Sequence, residues 1–117
     1  MQVNPEPTTS THALVIMCTY PLQGERDKFI KGMLDNKLAA CINVLPAISS
    51  SYQWQGNIEQ CDESLLLIKT EQHLFQLLES FIIKHHPYEV PEILALPITQ
   101  GSQSYLNWLN ASLNTKN

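Results

Sequence analysis

The sequence predicts an α+β sandwich, one antiparallel sheet with helices on one face, and three observations predict it. The run Ala13–Cys18 is continuously apolar, as in a strand covered on both sides. Two later segments, Glu25–Asn36 and Glu71–His86, carry apolar residues at helical spacing. Between them lies a long extended stretch broken once at Gln55-Gly56-Asn57, the chemistry of a tight hairpin turn.

Each element has its own signal. The first strand is predicted over His12–Tyr20, and Pro21 and Gly24 break it. In the first helix Phe29, Ile30, Met33 and Leu34 form one face, with Glu25, Arg26, Asp27, Lys28 and Lys31 opposite. Ala39–Trp54 is extended, with Ala40, Ile42 and Val44 on one face and Cys41, Asn43 and Leu45 on the other. Pro46 cannot donate to a ladder, so it marks a bulge or an edge. Gly56-Asn57 is expected to form the turn, and the return strand to run from Ile58 to Thr70. Leu74, Leu77, Leu78, Phe81 and Ile82 define the second helix, with Thr70 expected as its cap and Pro87 as its stop. Glu92–Ile98 is the fourth strand. Ser102–Leu113 is a last helix with Tyr105, Leu106, Leu109 and Leu113 inward, and Trp108 is read as packing beside Tyr105.

The order β-α-β-β-α-β is the split βαβ pattern of a ferredoxin-like domain, with an extra C-terminal helix. The second strand would run roughly 50 Å if fully extended, whereas each helix covers only about 18 Å. The hairpin must therefore bend or overhang its own domain. The overhang carries Tyr52, Trp54 and Ile58, which are costly to leave in water, and the second face of the sheet also needs cover. A homo-oligomer sharing these hairpins answers both needs. Charged residues are only 15% of the chain, which agrees with surface covered by other subunits. One domain over residues 12–117 is expected, preceded by a polar tail, residues 1–11, that carries Pro5 and Pro7 and reads as disordered.

Composition excludes several classes. Net charge is −4, with 7 Lys and Arg against 11 Asp and Glu, so no basic stripe exists to meet phosphates and no nucleic-acid partner is expected. The apolar runs are too short to cross a bilayer, so no membrane role is expected. The N-terminal residues lack the pattern of a secretory signal, and a cytoplasmic protein is expected. Cys18, Cys41 and Cys61 form no pairing framework and are expected as free thiols. No nucleophile elbow, P-loop, HExxH or GxGxxG is present, and the chain is not expected to be an enzyme.

One constellation stands out from the residues themselves. Tyr52, Trp54, Glu63, Lys69, Tyr88 and Glu92 set aromatics beside charges and could line a cleft between subunits. The same residues also read structurally, with Tyr52 and Trp54 as interface anchors and Lys69 paired to Glu63 or Glu92. Cys41 reads as core or interface, Cys61 as an exposed adventitious metal or oxidation site, and His12 and His73 as surface residues.

Five blocks of sequence extend the picture. Leu38-Ala39-Ala40-Cys41-Ile42-Asn43, Ser51-Tyr52-Gln53-Trp54-Gln55-Gly56, Leu66-Leu67-Ile68-Lys69-Thr70, His86-Pro87-Tyr88-Glu89-Val90-Pro91-Glu92-Ile93 and Tyr105-Leu106-Asn107-Trp108-Leu109 resemble, in order and spacing, the CutA divalent-cation tolerance proteins. The resemblance spans about residues 13 to 113. It implies a ferredoxin-like homotrimer, cytoplasmic in bacteria, with a role in tolerance to divalent metals, copper (Cu2+) above all. It also implies copper-binding positions: the cysteine ending the first strand, Cys18, and two consecutive histidines, His85 and His86. Thiolate and imidazole suit copper, and other divalent cations also suit imidazole. Because a helix runs antiparallel to the strand before it, the second helix is expected to end near the start of the first strand. That would leave the histidines about 20 Å from Cys18. A shared site would then need more than one subunit, or else Cys18 and the histidines serve different ends. As simple structure, Cys18 reads as a buried core residue and the histidines as a cationic helix end. The fold also resembles the PII signalling trimers, which gives the alternative reading: a ligand-sensing or adaptor trimer with a small-molecule site between subunits.

Overall fold

The computed structural model describes residues 11–114. The tail expected over 1–11 lies outside the described residues except for Thr11, whose hydroxyl donates to the Ile98 carbonyl and accepts from the Ala13 amide. In chain order the elements are β1 (Ala13–Pro21), α1 (Arg26–Asp35), β2 (Cys41–Trp54), β3 (Asn57–Glu71), a short 3-10 turn (Gln72–Leu74), α2 (Phe75–His85), β4 (Leu94–Pro97) and α3 (Gln103–Leu113). The sheet order is β2-β3-β1-β4 and every neighbouring pair is antiparallel. This is the ferredoxin-like α+β fold, with the long β2–β3 hairpin and the added C-terminal helix.

Alternation along the strands divides the molecule. Leu14, Ile16, Cys18 and Tyr20 of β1, with Leu66 and Ile68 of β3, meet Phe29 and Met33 of α1 and Leu78 and Ile82 of α2 in the main core. The intervening residues face the other side. There α3 covers one end, with Leu109 and Leu113 against Ala13. The rest of that face pairs Met17 with Leu94 and Leu67, Val15 with Leu96, and Leu45 with Leu65. Leu45, Leu94 and Leu96 are exposed on it. Tyr105, expected inward, is 41% exposed, and it meets Trp108, itself 47% exposed, with ring centroids 5.5 Å apart and planes tilted by 41°.

The hairpin overhangs. β3 pairs with β1 only as far as Glu63, opposite Pro21, so Asn57–Asp62 is held by β2 alone. That two-stranded ribbon draws the molecule out to 57 × 39 × 23 Å and carries exposed Tyr52, Trp54 and Ile58. At its base the register slips between Leu45 and Ile48, the bulge expected at Pro46. Ser64 secures the bulge by donating to the Pro46 carbonyl at 3.0 Å and accepting from Arg26 Nη1 at 3.0 Å.

Three local expectations are corrected. The turn residues are Gln55 and Gly56 (φ 50° and 83°), not Gly56 and Asn57, because Asn57 already pairs with Trp54. Both central residues at positive φ make a type I′ turn, the hand that suits a twisted hairpin. Thr70 does not cap α2: it belongs to β3, is fully buried, and donates to the Leu38 carbonyl at 2.7 Å. α2 instead follows the 3-10 turn with no side-chain cap. The fourth strand is shorter than expected, and Glu92 and Ile93 lie in the loop before it.

Candidate functional site at the end of the first strand

α2 follows β3 and runs back antiparallel to it, and is therefore parallel to β1. Its C-terminal end meets the end of β1 rather than the start, which overturns the expected 20 Å between Cys18 and the histidines. Pro87 forces the preceding residue out of helical geometry. His86 is accordingly extended (ψ 140°), and its ring turns inward among aromatics, 5.1 Å from Tyr20, 5.7 Å from Phe29 and 4.9 Å from Tyr88.

Both His86 nitrogens are engaged. Nδ1 accepts from the Tyr88 amide at 3.0 Å, so Nε2 carries the proton and donates to the Thr19 carbonyl at 2.7 Å. Burial pushes the His86 pKa down, opposed by the bond to Thr19 and the field of Glu63. Cys18 Sγ donates to the same Thr19 carbonyl at 3.6 Å. The thiol is fully buried, and burial, then Glu92 and Glu63, push its pKa up to about 12. Cys18 is thus a neutral thiol in the resting chain.

Beside this pair lies Glu63, 6% exposed, whose Oε2 accepts from the Tyr88 hydroxyl at 2.7 Å. Burial first, then the bond to Glu63, raise the Tyr88 pKa. Tyr52, on the same hairpin face, interacts through its hydroxyl with the Cys61 thiol, and the field of Glu63 reaches both. The end of β1 therefore gathers members of both sets singled out in sequence. Cys18 and His86 of the metal set meet Glu63 and Tyr88 of the cleft set, with Glu92 near enough to act on Cys18.

Other members go elsewhere. His85 is exposed, lies against Phe81 at 4.3 Å, and lines a separate cavity between α1 and α2. Trp54 is 59% exposed at the ribbon tip, opposite Asn57. Lys69 pairs with neither Glu63 nor Glu92. It stands at the other end of the sheet, opposite Cys41 and Val15, and its ammonium donates to Asn43 Oδ1. Among the described residues of one chain, no group of three or more His, Cys, Asp or Glu side chains is arranged to hold a metal ion. Sequence reasoning misses the Thr19 carbonyl, a backbone group that no side-chain pattern announces. It also misses Ser64, whose signal is a small polar residue opening the apolar run Leu65–Ile68.

Comparison with known proteins gives a consistent result. The family model described as CutA1 divalent ion tolerance protein matches residues 14–112. The divalent-cation tolerance protein CutA of Yersinia pestis is 41% identical over 110 residues, covering 94% of this chain and 92% of that protein. The crystal structure of CutA1 from Oryza sativa superposes with a TM-score of 0.85 at 36% identity, covering 92% of this chain and 98% of that one. CutA from Xylella fastidiosa also gives 0.85, at 32% identity and with 89% and 100% covered. Over nearly its whole described length, the chain belongs to the CutA1 divalent ion tolerance family.

Proposed function

We propose that this chain works in tolerance to divalent cations as a cytoplasmic homotrimer without enzymatic turnover, and that copper binds at the end of β1. Family membership over residues 14–112 supports the cation role. The single geometric observation that favours copper at this place is the shared Thr19 carbonyl, where a sulfur and an imidazole nitrogen converge on one oxygen. Binding there would require His86 to release Thr19 or Tyr88, and Cys18 to lose its proton, with the exposed His85 one residue away as a further imidazole. Three free cysteines suit a reducing compartment. The uncovered apolar sheet face and the overhanging ribbon support the trimer.

A second reading, a ligand-sensing trimer, is favoured by one observation. The ribbon carries Tyr52, Cys61 and buried Glu63 toward Tyr88, so a neighbouring subunit there would close an aromatic and acidic cleft. The experiment that tests the cation role is growth of a host lacking its own family member, under graded copper, zinc and cobalt. Expression of this chain is expected to restore copper resistance, and Cys18→Ser with His86→Ala to reduce it. No restoration by the wild-type chain contradicts the reading.

A further inference from the structure

The cavity between α1 and α2 lies on the helical side of the molecule, backed by Tyr20 near the end of β1, and its construction points to a ligand. It is a half-open groove of about 460 Å3, within the size range of small-molecule sites. Its walls are a continuous series of rings. Tyr20 stacks on Phe29 at 4.9 Å, Phe29 on Phe81 at 6.1 Å, and Phe81 meets His85 at 4.3 Å with a 35° tilt. Gly32 makes room for the Phe81 ring, since a Cβ at that position would stand 2.6 Å from Phe81 Cζ. His85 is exposed, and among the described residues its ring nitrogens have no hydrogen-bond partner. Its ring has one face on Phe81, and its edge atoms are free to donate or accept.

The rim carries balanced charge. Lys28 pairs with Glu25 at 3.5 Å, and Lys31 with Asp35 at 2.8 Å. All four side chains are well exposed, so these pairs hold little energy and exchange partners readily. Two cations and two anions give no net preference for an anion or a cation. They match a molecule that carries both charges close together, which can insert into the Lys31–Asp35 pair with its carboxylate on the lysine and its ammonium on the aspartate. A flat apolar ring completes the match, because the rings beneath favour stacked or edge-on aromatic contact.

We propose that this cavity is a binding site for a small planar aromatic zwitterion, with the ring held by Phe81 and His85 and the charged head by Lys31 and Asp35. The proposal shares His85 with the cation reading but uses neither Cys18 nor His86, so it is tested without added metal and its failure leaves the cation reading untouched.

The test uses the full chain and three fluorinated probes read by fluorine NMR: 5-fluorotryptophan, 5-fluorotryptamine and 5-fluoroindole-3-propionate. Backbone amide shifts locate the site. The expected result is saturable binding of 5-fluorotryptophan, with shifts at Lys31, Gly32 and His85. Each single-charge analogue should bind at least tenfold more weakly. His85→Ala, a change at an exposed position that leaves the core intact, should weaken binding about tenfold. Lys31→Gln/Asp35→Asn should bring 5-fluorotryptophan down to the level of its analogues. Amide shifts confined to other regions, or affinity unchanged in His85→Ala, overturn the site. Equal binding of the three probes overturns the zwitterion class.

Discussion

His86 joins Thr19 to Tyr88 through its two ring nitrogens, so its removal strands the Tyr88 amide and leaves the Thr19 carbonyl only the weak Cys18 thiol donor. Each unsatisfied group costs about 1–3 kcal/mol, and His86→Ala is expected to lower stability by about 3 kcal/mol in urea titration. Tyr88→Phe removes the hydroxyl that serves buried Glu63 and should cost about 1–2 kcal/mol. The His86 pKa is depressed below 6.5 in the folded chain, so the unfolded chain takes up the proton more readily. This residue's stabilisation is therefore complete above pH 6.5. It falls away as pH drops from 6.5 through the lowered folded value. Urea midpoints measured from pH 7.5 to 5 should decline, with a shallower decline in His86→Asn. Cys18, fully buried with its pKa near 12, should resist iodoacetamide in the native chain, while partly exposed Cys41 and Cys61 are alkylated first. Mass spectrometry of labelled peptides checks the order.

Local signals in the sequence carried most of the elements. Pro46 marked the bulge because a residue without an N–H cannot continue a ladder, and Pro87 marked the end of α2 for the related reason that it restricts its predecessor. The faces of the helices followed from spacing, although Leu77, expected inward, is 61% exposed, because α2 buries only the narrow stripe around Leu78 and Ile82. Long-range relations were not legible. Tyr88 meets Glu63 across 25 residues, and Asn110 meets buried Glu71 across 39, with no local pattern to join them. The direction of α2 relative to β1 depends on two successive reversals, β2 to β3 and β3 to α2, and no local pattern shows which end of the sheet His86 meets. In the hairpin, Gly56 at φ 83° has open space around the missing Cβ, so Gly56→Ala should cost about 1 kcal/mol through backbone strain alone.

At the scale of the molecule, the sheet has one finished face and one unfinished one. Leu45, Leu94 and Leu96 stand exposed on the second face, and the ribbon holding Trp54 and Ile58 projects past the end of β1. An isolated two-stranded ribbon is marginal in water, so its persistence argues for partners along its length. Sedimentation equilibrium is expected to give three times the 13.3 kDa chain mass. Leu96→Asp, which would cost an isolated chain little at a position 45% exposed, should dissociate the assembly. A monomer from the wild-type chain at micromolar concentration would contradict that expectation. Calorimetric titration of Cu2+ into the purified protein tests the proposed copper site at the end of β1. One copper per chain at submicromolar affinity is expected, lost in both Cys18→Ser and His85→Ala/His86→Ala. Weak binding, or binding that survives both changes, would contradict it.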